Sequence, residues 1–434
     1  MVALASAEGK LGLLFPGMGS VATTTIAGIL LARRGQAAPV GSLTQMGRLS
    51  LGEDATKGSL PVREVVPLAS LDQLNFGGWD IFEDDAYESA LGAGVIEHVQ
   101  LERVRDELRA VKPMKAVFYP GYVRRLHGTH VKRGSSKVEM VEKLRADIRS
   151  FKADHGCDRL VAVWCGSTEV YLRPSATHAS IHSFARGLAE GSDDISNAQI
   201  YAWACLQERV PFANGSPNLC VDFPAALELA RELAVPVAGK DFKTGQTMLK
   251  TALAPAFKAR LLGLRGWYST NILGNRDGAV LDDPESFRAK EATKLGVLEQ
   301  ILEPELHPRL YGDLVHKVRI DYHPPRGDAK EAWDSIDFFG WLGYPMQVKI
   351  DFQGRDSILA APLVLDLALL LDLAARAGLS GPQDWLSFFF KSPMVAGGGC
   401  ADNDLFVQKR MLEDALRRMA RLGAGTKKDA HAAG

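Results

Sequence analysis

Apolar residues gather near the start of the chain as Leu11-Gly12-Leu13-Leu14-Phe15, a run that ends at Pro16-Gly17-Met18-Gly19-Ser20. A short unbroken apolar run suits a strand buried on both faces. The following stretch, TTTIAGILLARR, reads as a helix that stops near Gly35. Strand, glycine turn and helix in this order open a dinucleotide-binding βαβ unit. Residues 36–60 are rich in Gly, Ser and Thr and read as loop. FGGWDIF at 76–82 reads as a strand ending in Asp80. AVFY at 116–119, RLVAVWC at 159–165 and VPVAG at 235–239 are further apolar runs between helical patterns. This alternation predicts a mostly parallel sheet with helices on both faces.

After about residue 248 the pattern changes. HKVRIDYH (316–323) and MQVKIDF (346–352) alternate apolar and polar positions, the mark of strands with one wet face, as in an antiparallel sheet. From 358 onward the chain reads as helix again, and the tail AGTKKDAHAAG is expected to fray. The expected fold is α/β: a Rossmann-like doubly wound sheet over residues 1–247, an inserted α+β domain over 248–357, and a return to the first domain over 358–434. No internal repeat is visible. Ile358 to Leu379 is apolar enough to pass for a membrane span, but it contains Asp366, Asp372 and Arg376, and Pro362 sits in its first turn. Charges at that depth are expensive in lipid, so a buried helix is expected.

Composition narrows the classes. With 434 residues and 46% hydrophobic content, the chain can hold two domains and a large core. A net charge of −1 gives no global field toward nucleic acid or an acidic membrane, and neither is expected as a partner. The five cysteines (Cys157, Cys165, Cys205, Cys220, Cys400) are odd in number and lack CxxC spacing. That argues against a disulfide framework or a cysteine-ligated zinc, and fits a reducing cytoplasm. MVALASAEGK has no basic n-region followed by an apolar core, so no signal peptide is expected.

Four groups of residues can carry chemistry. Gly17 and Gly19, with Ser20 opening the helix, would let a pyrophosphate approach the backbone. Ala22 takes the third glycine position of the usual fingerprint, so a plain tight turn also accounts for the motif. No acidic residue stands about 20 positions further on, and Asp80 is the better candidate for a ribose contact. Thr244, Gly245, Gln246 and Thr247 follow the VPVAG strand, where a polar turn can cradle phosphate or simply cap a helix. Lys290 and Lys294 are four apart and share a helical face, and Lys330 closes PRGDAK. A lysine desolvated beside other cations can act as a base near neutral pH, although most lysine pairs are solvated surface. His178 and His182 are also four apart, but Ala179 replaces the glutamate of a zinc HExxH motif, and they read as structural helix residues. No metal site is expected.

Several segments together resemble one family. GGWDIF, YAWACLQERVPFANGSPN, AGKDFKTGQT, YSTNILGNRDG, SFRAKEATK, PRGDAKEAWD, DSILAAPLVLDL and FFFKSP appear in the order found in myo-inositol-phosphate synthases. The resemblance covers most of the chain. It implies a homotetramer with an NAD-binding Rossmann domain and an inserted catalytic and tetramerisation domain. The implied reaction takes glucose 6-phosphate to an inositol phosphate: oxidation at C5, enolisation, aldol closure between C6 and C1, and return of the hydride. By motif, Lys290, Lys294, Lys330 and Lys391 match the family's active-site lysines, with Asp241 and Asp356 orienting them. Lys290 matches the lysine near the reacting C5 hydroxyl, and Lys294 the partner that helps hold phosphate and developing oxyanions. Thr244, Gly245, Gln246 and Thr247, together with Lys294 and Lys330, match the phosphate site. Asp80, Gly215, Ser216, Asp241, Asn275, Asp277, Gly327 and Asp328 match cofactor contacts, and the strand, turn and helix pattern adds Gly17, Gly19 and Ser20 to that set. A monovalent or divalent cation as a helper is left open.

The sequence also departs from the family. PGMGSVA stands for GWGGNNG, Thr244 for a serine, Arg276 for the second asparagine of GNNDG, and GSTEV for ANTER. Arg326 adds a further positive charge. Arg276 places a bulky cation near the expected nicotinamide edge. Three readings follow: the synthase itself, a cyclase of another sugar phosphate, and a catalytically silent protein that binds NAD or a metabolite.

Overall fold

The structure is a computed structural model that describes residues 4–50, 58–397, 399 and 401–431. Seven strands form the main sheet. In chain order its first strand is β1 (Leu11–Pro16), and a separate antiparallel pair follows, β2 (Arg48–Ser50) and β3 (Ser59–Pro61). The sheet continues with β4 (Leu74–Asp80), β5 (Met114–Lys115), β6 (Arg159–Trp164), β7 (Phe212–Asn214) and β8 (Pro236–Gly239). The insertion supplies β9 (Gly263–Leu273), β10 (Val315–Tyr322), β11 (Lys330–Phe339) and β12 (Pro345–Gly354), and β13 (Gly381–Pro382) closes the first sheet. The main order is β13-β8-β7-β6-β1-β4-β5, parallel throughout.

Alternation along each strand explains why helices cover both faces. Leu11, Leu13 and Phe15 of β1, with Val161 and Val163 of β6, enter one core. Leu14, Leu160, Ala162 and Trp164 enter the other. A strand buried on both sides therefore reads as a continuous apolar run. The helix after β1 spans Ser20–Arg33, and Gly35 follows at φ 64°, a left-handed position that glycine fills without a Cβ penalty.

Three expectations change. Residues 36–60 are not all loop: a helical turn at Leu43–Met46 and the β2–β3 pair lie there, too short to leave a periodic signal, and residues 51–57 fall outside the described residues. AVFY forms no strand of its own. Side chains take its backbone donors: Tyr201 Oη accepts from Val117 N at 2.7 Å, and Asn197 Oδ1 from Tyr119 N at 2.7 Å. The insertion is mixed rather than antiparallel. In the order β10-β9-β11-β12, β10 runs parallel to β9, while β11 is antiparallel to both β9 and β12. Helices Arg276–Leu281 and Pro284–Leu302 lie between β9 and β10. A parallel pair needs such a crossover, and one-faced alternation cannot reveal it.

The apolar segment expected to be buried is helix Asp356–Arg376, with mean hydropathy 2.2 over its most apolar window. Of that window 72% is buried inside the protein. The two carboxylates deep in this helix, Asp366 and Asp372, are both paired. Asp366 accepts from Ser42 Oγ and Thr44 Oγ1, each at 2.6 Å, and Asp372 meets Arg159 at 2.7 Å and Arg376 at 2.9 Å. Each fully buried leucine of this helix contributes roughly 1.5–3 kcal/mol. The tail is helical to His431 rather than frayed, in a helix that starts at Leu405, and residues 432–434 lie outside the described residues.

Gly17 is the turn's fixed point. It has φ 91°, and a Cβ there would lie 2.4 Å from the Cα of Gly166. Gly17→Ala is expected to destabilise the protein by about 2 kcal/mol. Thermal unfolding tests this, and an unchanged Tm would show that the turn can relax.

Candidate active site

The cavity lies outside the carboxyl ends of the central strands, where β1 separates oppositely wound halves and open α/β sheets bind ligands. Its volume is about 510 Å³. Met18, Gly19 and Ser20 reach it after β1, Asp80 at the end of β4, Gly215 and Ser216 after β7, and Asp241 and Thr244 after β8. The insertion adds Asn275, Asp277, Lys290, Lys294, Gly327, Asp328, Lys330 and Asp356, and the return segment adds Lys391. Gly17 lines an adjoining pocket with Asp80, and Gly245, Gln246 and Thr247 lie behind the wall.

Asp241 sits at the centre. Its backbone is left-handed (φ 62°), and its side chain is 1% exposed. Oδ1 accepts from Lys290 Nζ at 2.9 Å and from Lys391 Nζ at 3.0 Å, and Oδ2 from Thr293 Oγ1 at 2.9 Å. Helix Pro284–Leu302 aims Lys290, Thr293 and Lys294 from one face. Asp283 caps it by accepting from Ser286 N at 3.0 Å, with Pro284 in its first turn. Lys391 is fixed twice, since its N–H also donates to the Asp241 carbonyl at 2.7 Å. A second pair joins Lys330 Nζ to Asp356 Oδ2 at 2.9 Å.

Electrostatics separate lysines that spacing treats alike. Burial opposes charge on both Lys290 and Asp241, yet their mutual attraction prevails: Lys290 is raised and Asp241 lowered. Lys391 shares the same carboxylate, but burial dominates and brings it down to about 8. Lys294 is buried, and among the described residues nothing accepts from its Nζ. Burial first, then Lys330, Lys391, Lys250 and Lys290, hold it well below the usual lysine range. Asp356 is lowered chiefly because Lys330 and Lys391 outweigh its burial.

The phosphate-loop residues are split by the fold. Thr244 caps helix Gly245–Ala259 by backbone geometry, without a side-chain hydrogen bond. The Gln246 carboxamide is committed to the second sheet, accepting from Asn271 Nδ2 at 2.8 Å. What remains to an anion is the first-turn amides, which have no partner inside a helix.

The nucleotide half fits a dinucleotide. A Cβ at Gly19 would meet nothing within 4 Å, so this backbone faces open space at a helix N-terminus. Asp80 Oδ2 accepts from Met18 N at 2.8 Å and pins the glycine turn. Burial raises the Asp80 carboxyl, and Arg276 is among the groups that pull it back. Beside it, Ile81, Phe82, Val117, Phe118 and Leu126 wall an apolar slot suited to a flat base. Asn275 caps helix Arg276–Leu281 and donates to Asp328 Oδ1 at 3.1 Å, while the buried Asp328 Oδ2 has no partner and can accept from a ligand. Ser216 Oγ donates to Asn214 Oδ1 at 3.0 Å, and a Cβ at Gly215 would strike the Phe242 ring at 2.2 Å.

Sequence reading did not find Thr293 or the contact between the buried Lys250 and the half-buried His316. Lys250 Nζ lies 2.7 Å from His316 Nε2, with burial lowering Lys250 to about 8 and His316 to about 3. Sixty-six positions separate that pair, and no local pattern links them. His178 and His182 do not share a helix face. His178 closes the short turn Ala176–His178 and lies 3.0 Å from Gln199 Nε2, and His182 belongs to the next helix, Ile181–Glu190. Among the described residues no three His, Cys, Asp or Glu side chains cluster as metal ligands.

Residues 11–417 match the family model of myo-inositol-1-phosphate synthase, an NAD-binding family. The chain belongs to the myo-inositol-1-phosphate synthase family. Inositol-3-phosphate synthase 1 of Bacteroides thetaiotaomicron is 52% identical over 95% of this chain and 96% of its own length. Inositol-3-phosphate synthase 1 of Oryza sativa subsp. japonica is 32% identical over 94% of this chain and 85% of its own. The crystal structure of inositol-3-phosphate synthase from Caenorhabditis elegans superposes with a TM-score of 0.89 at 29% identity, covering 96% of this chain and 86% of that one.

Two substitutions separate structural from chemical roles. Asp241→Ala strands two buried ammonium groups and is expected to cost about 3 kcal/mol or more. The stabilisation from Asp241 is full above the ordinary carboxylate value of 3.8 and is lost as pH falls below it toward the lowered folded value. Lys294→Met removes an amine whose protonation is opposed by burial and by the neighbouring lysines, and should stabilise the protein at pH 7 by about 1 kcal/mol. Because the folded pKa lies below the ordinary 10.5, that gain shrinks as pH rises toward 10.5. Thermal unfolding across pH checks both signs, and a destabilised Lys294→Met protein would contradict the charge assignment.

Proposed function

We propose that this chain converts glucose 6-phosphate to inositol 3-phosphate by a cyclisation without net redox change, with NAD as its resident cofactor. The observation that carries this reading is one cavity that joins a dinucleotide cradle to Lys290, Lys294, Lys330 and Lys391. NAD, when bound, takes a hydride from a sugar carbon and returns it.

The chain's own residues supply the rest. Three of the lysines, Lys290, Lys330 and Lys391, share only two carboxylates, Asp241 and Asp356, which leaves an excess of positive charge in the cavity. That suits a phosphate dianion, held by Lys330 and the amides of the Gly245 helix. Lys294, whose ammonium form is disfavoured first by burial and then by the surrounding lysines, takes a proton from a sugar hydroxyl and later restores it. Lys290, kept protonated by Asp241, faces oxygens on which negative charge develops. Lys391, at about 8, can hold or release a proton within the working range. A single walled site keeps the open-chain intermediates away from water and holds both reacting carbons together.

The homotetramer implied by the family resemblance belongs to the same proposal. Trp341, Leu342 and Tyr344 are 87%, 79% and 68% exposed at the turn between β11 and β12, and β10 and β12 are open sheet edges. Exposed aromatics beside unpaired edges mark an association surface. The four described cysteines are unpaired, in keeping with a cytoplasmic setting. Sedimentation is expected to give a tetramer that Trp341→Ala with Leu342→Ser weakens, and a monomer at all concentrations would refute the assembly.

Incubation with NAD and glucose 6-phosphate, followed by phosphorus NMR and mass spectrometry, tests the reaction. The expected result is an inositol phosphate with no net NADH. Lys294→Met should lower kcat by about 10³-fold or more while binding phosphate nearly as well. Unchanged substrate in the presence of bound NAD would favour a cyclase of another sugar phosphate.

A further inference from the structure

Arg276 stands apart from the other cations of the cavity. Among the described residues that line it, the remaining cations are Lys290, Lys294, Lys330 and Lys391, all grouped with Asp241 and Asp356. Arg276 instead lines both the main cavity and the adjoining apolar slot. Its guanidinium carbon lies 4.3 Å from the centroid of the Phe82 ring. Phe82 is itself placed by the nucleotide half, since its N–H donates to Asp80 Oδ1 at 3.2 Å.

The position is electrostatically unusual. Arg276 is the first residue of helix Arg276–Leu281, the end where the helix dipole disfavours a cation. It is exposed, and among the described residues no carboxylate or carbonyl accepts from it. The nearby arginines behave differently: Arg125 pairs with Asp282, and Arg124 approaches Asp283 at 3.8 Å. The glycine turn opposite offers uncharged amides only, and it lacks the third glycine. A guanidinium stacked on an aromatic ring keeps its N–H edge free for a forked contact with an anion.

We infer that Arg276 is a cofactor-retaining residue, reaching from the insertion across the cleft to the diphosphate of the bound dinucleotide. This rests on the NAD reading above and adds the residue that slows nucleotide release. Retention matters for a reaction that must return its hydride to the same sugar. A dinucleotide that left in its reduced form would abandon an oxidised intermediate.

The test is binding, not turnover. Nucleotide-free protein is titrated with NADH, ADP-ribose and AMP, using quenching of tryptophan fluorescence, and NADH dissociation is timed by displacement. Arg276→Ala and Arg276→Asn are expected to weaken NADH and ADP-ribose about tenfold, to speed NADH release by a similar factor, and to change AMP less than about twofold. Arg276→Lys should recover part of the loss, because an ammonium keeps charge without the fork. Unchanged NADH affinity in the alanine variant overturns the inference. So does an equal loss for AMP and ADP-ribose, which would place the guanidinium on the adenosine half. A raised KM for glucose 6-phosphate at constant NADH affinity would assign Arg276 to the substrate instead. No NADH binding by the unsubstituted protein would overturn the cofactor reading together with this one.

Discussion

The site depends on one carboxylate taken out of water. Asp241 is buried, and its Oδ1 is shared by two ammonium groups from distant parts of the chain. Burial alone would neutralise such a group, and two cations at hydrogen-bond distance reverse the outcome. The backbone bends to place it there, in a left-handed conformation that a short polar side chain tolerates. The positions of Lys290, Thr293 and Lys391 follow from that anchor.

The same arrangement divides the lysines by electrostatic environment. The Asp241 carboxylate holds Lys290 in its ammonium form against burial, whereas burial and the surrounding lysines push Lys294 the other way. Lys290 and Lys294 are one helical turn apart on the same face, yet their environments push them in opposite directions. Pairs of titratable groups driven apart in this way mark acid, base and electrostatic roles. The protein bears the destabilising Lys294 beside its well-paired neighbours Lys290 and Lys330, as expected where local stability is given up for reactivity.

Much of the fold was legible in the sequence because its central strands are buried on both sides. β1, β6 and β8 appear as apolar runs, and the Gly17 turn and Asp80 punctuate them. β7 and β13 span three and two residues and leave no period to read. The parallel pairing of β9 and β10 stayed hidden because alternation reports a wet face and says nothing of direction. At the site, ordered motifs brought out the four lysines and both aspartates. Spacing alone could not tell which lysine keeps its proton, since that depends on which carboxylate the tertiary fold delivers. Lys250 and His316 escaped for the same reason: their 2.7 Å contact is made entirely by the packing of two distant segments.

Three stretches of chain meet at Asp241: the end of the first domain, the insertion through Lys290, and the return segment through Lys391. A ribosome delivers these in order, and Lys391 arrives last, 150 positions after Asp241. A nascent chain can therefore complete its glycine turn and strands β1, β4 and β6 long before the chemistry is assembled. On the proposed function, such a chain holds the parts of a nucleotide cradle without the lysines assigned to the sugar, so the half-made protein has no means of oxidising substrate it could not then close and reduce.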